Sequence, residues 1–174
     1  SNKRKFMPFT PFHMGPGILV KALLRSSFSL MVFGWAQIVM DIQPLISMIT
    51  GKGDLHGFSH TYIGASLLVI VSALSGKYLS QFGLWVLRIR DSIHHQISWG
   101  VVFLSAFVGC FSHVLLDSIM HSDVQPFYPF IQDNMFLRLV SVPVLHKICL
   151  YTGLLGAGIY YYLEWKLNSK RNDQ

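Results

Sequence analysis

The chain has 174 residues, a length for one domain, with 52% hydrophobic and only 13% charged side chains and a mean hydropathy of +0.45. An ordinary soluble domain carries about a quarter charged residues, so this is the composition of an integral membrane protein. The formal charge of +6 does not point to nucleic acid, because the basic residues sit at the edges of apolar runs and form no long patch.

In chain order, the first apolar piece is residues 12–24. At 1.5 Å per residue it reaches roughly 20 Å, which predicts a partial or tilted helix rather than a full span. Four longer segments follow: 27–50, interrupted by Asp41, then 60–79, 96–121 and 144–166. Each is near the ~20 residues needed to cross hydrocarbon. Residues 82–89, with Trp85 and flanking arginines, read as a segment lying along the interface. The expected fold is therefore an all-α, polytopic membrane helix bundle of about four spanning helices plus a short N-terminal partial helix. Residues 1–174 form one integral membrane domain, closed by the spanning helix at 144–166.

The loops differ in charge. Arg25, Lys77, Arg88, Arg90, Lys166, Lys170 and Arg171 fall on one side, and Lys52 with Asp54 and Arg138 with Asp123 and Asp133 on the other. The positive-inside rule puts the first group in the cytoplasm and the second toward the periplasm or exterior. Lys3, Arg4 and Lys5 run against this assignment if residues 12–24 start on the outer side.

Cys110 and Cys149 both lie inside apolar runs, so no disulfide framework and no cysteine-rich zinc site is expected. The histidines and aspartates carry more information. His13 starts the short first helix, and Asp41 lies toward the outer end of the next. His56 and His60 enter the following span from that side, and His113, Asp117 and His121 leave the next one there. Four segments thus deliver seven candidate metal ligands to one end of the bundle. His56/His60, His113/Asp117 and Asp117/His121 are four apart, which on a helix puts each pair on one face. Such pairs can grip one ion, and imidazole with carboxylate suits zinc, and also manganese or iron. An ionised Asp near hydrocarbon costs roughly 2.5–3.5 kcal/mol, and neither Asp41 nor Asp117 has a Lys or Arg near it in its helix. A divalent cation would compensate them. A single apolar-helix histidine is more often a hydrogen-bonded packing residue, and His146 and the His94-His95 pair fit that description.

PFHMGPG (11–17), VMDIQPL (39–45), HGFSHTY (56–62) and SHVLLDSIMHSDVQPFYPF (112–130) occur in that order. Together, over residues 8–130, they resemble the membrane-bound metal-dependent hydrolase family of bacteria, some members of which are under LexA control. The resemblance implies His13, Asp41, His56, His60, His113 and Asp117 as ligands, with His121 peripheral. Where that family often has Pro-Asp-x-Asp, Gln43 replaces the second acid, which bears on how many ions are held. The His/Asp mixture is also similar, by analogy only, to the ligand patterns of zinc-dependent phospholipases C.

The expectation is a membrane-embedded, metal-dependent hydrolase of the bacterial inner membrane with its site toward the periplasmic face. One or two divalent ions, zinc first, would activate water against a phosphoester or ester of a lipid or membrane-associated substrate. Asp41, Asp117 and His60 are the candidates for catalytic duty. Ser59 and Arg138 are candidates for substrate contact, although Arg138 also reads as an interface anchor. The bilayer is the expected partner; the oligomeric state is not legible. The rival readings are a metal- or proton-coupled transporter and a non-catalytic protein with a structural metal. A transporter would spread its ligands through the bilayer depth, whereas these gather at one end.

Overall fold

The computed structural model describes residues 11–86 and 97–172. Five helices account for most of them: α1 Met14–Leu24, α2 Leu30–Thr50, α3 Tyr62–Val86, α4 Trp99–Met120 and α5 Val142–Asn172, with no strand among the described residues. Helices α2, α3, α4 and α5 are long and apolar enough to cross a membrane. The expected all-α bundle of four spans and a short leading helix is the fold observed.

Local chemistry sets the helix ends. Ser29 and Ser98 cap α2 and α4, each hydroxyl accepting from the N–H three residues on, of Val32 and Val101. Gly51 ends α2 in the left-handed conformation at φ 67°, where its N–H donates to the Ser47 carbonyl. α4 stops because His121 is extended, at φ −116° and ψ 129°, while its N–H still reaches the Asp117 carbonyl.

The core is made where α2, α3 and α4 meet. Val32, Ala36 and Met40 of α2 pack with Ala65, Val69 and Ala73 of α3 and with Val102, Ala106, Cys110 and Val114 of α4. Small residues let the helices close: a Cβ on Gly109 would lie 2.7 Å from that of Ala36. α1 is held against α5 in the same way. A Cβ on Gly15 would fall 1.9 Å from the Cys149 carbonyl oxygen, and one on Gly156 2.5 Å from the Leu19 nitrogen. The outward faces expose Leu67, Ile70, Phe103, Phe107, Leu154 and Leu155, the pattern of helices surrounded by lipid.

Two expectations are corrected. Residues 82–86 do not turn along an interface but extend α3 to Val86. At 1.5 Å per residue this makes α3 about 37 Å long, enough to cover the ~30 Å of hydrocarbon and emerge. The remainder of that segment, with Arg88, lies outside the described residues, as do Arg90, Lys3, Arg4, Lys5, His94 and His95. His56 and His60 are also not one turn apart on a helix. His60 closes a short 3-10 turn, Phe58–His60, and Thr61 is extended before α3 begins. Thr61 caps α3 there, its hydroxyl accepting from the Gly64 N–H.

Candidate metal centre

The chain direction brings the C-terminal ends of α2 and α4, the start of α3 and the residues preceding α1 to one end of the bundle. His13, Asp41, His60, His113 and Asp117 are all buried there, and His56 and His121 are half-buried beside them. All seven sequence candidates for metal ligation meet in one cluster.

Asp117 is its centre. One carboxylate oxygen, Oδ2, lies 3.2 Å from His60 Nε2, 3.2 Å from His113 Nε2 and 4.0 Å from His56 Nε2. The other, Oδ1, lies 3.6 Å from His13 Nε2. Asp41 Oδ1 approaches His113 Nε2 at 3.4 Å. The rings crowd accordingly: His13 meets His113 edge-on at 4.9 Å between centroids, His56 meets His60 at 4.9 Å, and His121 stacks on His56 at 4.4 Å.

The far nitrogens of three of these imidazoles are already engaged. His113 Nδ1 lies 2.7 Å from Gln37 Oε1, and the same Gln37 side chain donates to the Gly109 carbonyl at 3.0 Å. That donation fixes which way the amide points, so His113 Nδ1 is the donor, and in the neutral ring Nε2 is the nitrogen with the lone pair. His56 Nδ1 lies 2.9 Å from Asp123 Oδ2, a carboxylate–imidazole pair of the kind that orients metal-bound histidines. His60 Nδ1 lies 2.9 Å from the Ser59 hydroxyl. Each arrangement turns Nε2 toward Asp117. The result is a set of buried atoms without hydrogen-bond partners: His13 Nε2, His60 Nε2, His113 Nε2 and Asp41 Oδ1. Buried polar atoms are normally satisfied, yet here three unpartnered imidazole nitrogens face the Asp117 carboxylate, with the unpartnered Asp41 Oδ1 beside His113.

Spacing agrees. Two ligands at about 2.05 Å from a tetrahedral ion sit about 3.3 Å apart, close to the 3.2–3.6 Å separations of His13, His60 and His113 from Asp117. Three groups each place their ligand atoms within 4.8 Å of one another: His13, His113 and Asp117; Asp41, His60 and His113; His56, Asp117 and His121. These groups could hold a metal ion.

Burial also keeps the loop imidazoles in their ligating form. It drives His13 from 6.5 to about 4, outweighing the Asp117 carboxylate, which pushes the other way. Burial lowers His60 and His121 as well, against the same opposing carboxylate. Burial pushes the Asp123 carboxyl up, but the hydrogen bond from His56 brings it net below its usual value.

The two candidates for substrate contact stand elsewhere. Ser59 is buried under His60, and its N–H donates to Gln43 Oε1 at 3.0 Å. Its hydroxyl positions an imidazole. Arg138 is exposed in the left-handed region at φ 56°, with its backbone N–H on the Ile119 carbonyl. Among the described residues its guanidinium has no hydrogen bond or ion pair. A cavity of about 670 Å³ instead opens beside His56 and Asp123, walled by Asp54, Phe58, Gln125 and Tyr128.

Sequence reasoning did not single out Gln37 or the role of Gln43. Gln37 is four residues before Asp41 on α2, so the same face carries the partner of His113 Nδ1 and the neighbour of its Nε2. Gln43, in place of an acid, holds the His56–His60 turn: it accepts from Ser59 and fills the space a Cβ on Gly57 would need.

The family model described as YdjM inner membrane protein matches residues 12–170, a stretch that includes every member of the cluster. No curated protein and no solved structure matches the chain.

Proposed function

This chain belongs to the YdjM inner membrane protein family, and from the site it carries we propose that it is a membrane-embedded, metal-dependent hydrolase. The observation that supports this reading is the group of buried Nε2 atoms, without hydrogen-bond partners, turned toward Asp117. Buried imidazole nitrogens of structural histidines usually have a well-aligned hydrogen-bond partner.

Asp41, His60 and His113, with Asp117 and His13 beside them, are the residues that would hold a divalent ion, zinc by donor type, with manganese or iron as alternatives. Such an ion supplies Lewis acidity and acidifies a water. The protein's own part is orientation. Gln37, Ser59 and Asp123 hold three imidazoles in one direction before any ligand arrives. Asp41 and Asp117 offer carboxylate oxygens where a proton leaving water would be accepted. The cavity beside His56 admits a polar group from the aqueous side.

The substrate we propose is a phosphoester or ester of a lipid. The site sits at helix ends whose flanks expose apolar surface, so a lipid head can reach it while its chains stay in the bilayer. The charge asymmetry supports a periplasmic site. At the cluster end Lys52, Arg138 and Lys147 are balanced by Asp54, Asp123 and Asp133, whereas the opposite end carries Arg25, Lys77, Lys166 and Lys170 against Glu164.

The test is hydrolysis by metal-replete protein in detergent over a panel of phospholipids and soluble phosphoesters. Activity that disappears in Asp117→Ala and on chelation is the expected result. A folded, metal-loaded protein that cleaves nothing on the panel would remove the hydrolase reading and leave a structural metal site.

A further inference from the structure

We propose that the cavity beside His56 binds the ammonium group of an amine-bearing phospholipid head, with Asp54, Asp123 and Tyr128 as its contacts. The proposal rests on the lipid-hydrolase reading above and names the substrate class that the site selects.

Charge is the first reason. The cavity, about 670 Å³, is walled by Asp54, Asp123, Gln125, Thr61, Phe58 and Tyr128 beside His56, and among the described residues no Lys or Arg lines it. Two carboxylates with no cation between them repel a free anion and attract an ammonium. Among the described residues the Asp54 carboxylate has no hydrogen bond or ion pair, whereas its carbonyl accepts from the Ser47 hydroxyl at 2.9 Å. Asp123 meets His56 Nδ1 through Oδ2, and a carboxylate has the lone pairs to accept from a second donor as well. Phe58 and Tyr128 add exposed rings, whose faces attract cations.

The walls are held in place before a ligand arrives. Val124 and Pro126 are fully buried, and Asp123 and Gln125 alternate with them as exposed residues. The Tyr62 N–H donates to the Pro126 carbonyl at 2.8 Å, and the Tyr128 N–H to the Gln125 carbonyl at 3.1 Å. Across the cavity, the Ser47 tie anchors Asp54, and Gln43 packs against Gly57. Groups presented by an anchored backbone lose little further freedom on binding.

His56 is the wall shared with the metal centre. Its Nδ1 points to Asp123, and its Nε2 lies 4.0 Å from Asp117 Oδ2. One imidazole therefore separates the acidic cavity from the centre, a gap that a short amino-alcohol linker spans. The ammonium would sit in the cavity and the phosphoester, repelled by its two carboxylates, on the centre's side of His56.

The experiment is native mass spectrometry of the as-purified full chain in detergent, mixed with equal amounts of phosphatidylethanolamine and phosphatidylglycerol. Adduct masses report which lipid is bound, whether intact or cleaved. The amine lipid should exceed the glycerol lipid about tenfold on wild type. Asp54→Asn, at an exposed loop position outside the metal centre, should bring the ratio close to one. Soluble O-phosphoethanolamine at equal concentration should not displace the lipid. Equal binding in wild type, no lipid adduct, or a preference that survives Asp54→Asn overturns the ammonium site and leaves the hydrolase reading standing. Displacement by O-phosphoethanolamine overturns the lipid as the source of the amine. An amine preference in a protein that cleaves nothing keeps the cavity assignment and removes the hydrolase reading.

Discussion

The two ends of the bundle handle charge in opposite ways. At the basic end the protein supplies the partners. Arg25 pairs with Glu164 at 2.6 Å, Lys21 donates to the carbonyls of Arg25 and Phe28, and Lys77 lies 4.0 Å above the Trp99 ring. At the other end the orienting bonds are complete, but the atoms they aim have no partners of their own. One end is finished by the fold; the other keeps a half-satisfied polar network whose His/Asp groups could hold a metal ion.

The contrast should break most sharply at Asp117. Asp117→Ala removes the carboxylate faced by four imidazoles and should cut metal affinity by more than about a hundredfold, beyond the ~10–100-fold that outer partners are worth. Titration with a competing chelator reads this directly.

Gln37→Leu comes next. It keeps every ligand but frees the His113 tautomer, and a loss of ~10–100-fold in affinity is expected with the helical content intact. An unaltered affinity would mean that packing alone orients His113.

A third variant tests how the short first helix carries His13. Gly15→Ala places a Cβ against the Cys149 carbonyl, so α1 and α5 must separate. The expected cost is ~1–3 kcal/mol in unfolding free energy, together with weaker metal binding because His13 moves with α1.

pH sharpens the same comparison in the metal-stripped protein. Burial holds His13 near 4 in the fold, against 6.5 in the unfolded chain. Between those values the unfolded chain binds more protons, so stability rises with pH from about 4 to 6.5 and is lost as pH falls through that window. Thermal melts at pH 4.5 and 7 should differ, and less so in His13→Gln.

The smallest effect belongs to the finished end. Arg25 and Glu164 are each more than a third exposed, so Arg25→Ala should change stability by under about 1 kcal/mol and leave metal content as it was. A loss of metal there would show that the two ends are coupled.

How much of this was legible beforehand follows from which interactions are local. A run of apolar residues about 20 long declares a span, and parity of spans then declares which loops share a side. Parity puts His13, Asp41, His56, His60, His113, Asp117 and His121 at one end. His56 and His60 have the spacing of a helical pair but are not one, because four-residue spacing has meaning only inside a helix. Gly57 and the extended Thr61 keep this turn outside one, yet the rings still meet.

The sequence by itself determined the bundle, its membrane environment and the end at which the ligands gather, since hydrophobic length and loop charge act residue by residue. Only the tertiary structure decided how they are aimed. His113 takes its orientation from Gln37, 76 positions away, and His56 takes its own from Asp123, 67 positions away. No periodicity encodes such partners. They exist because close packing at Gly109 and Ala36 brings α4 against α2, near enough for an amide to span the gap and fix a proton on one nitrogen.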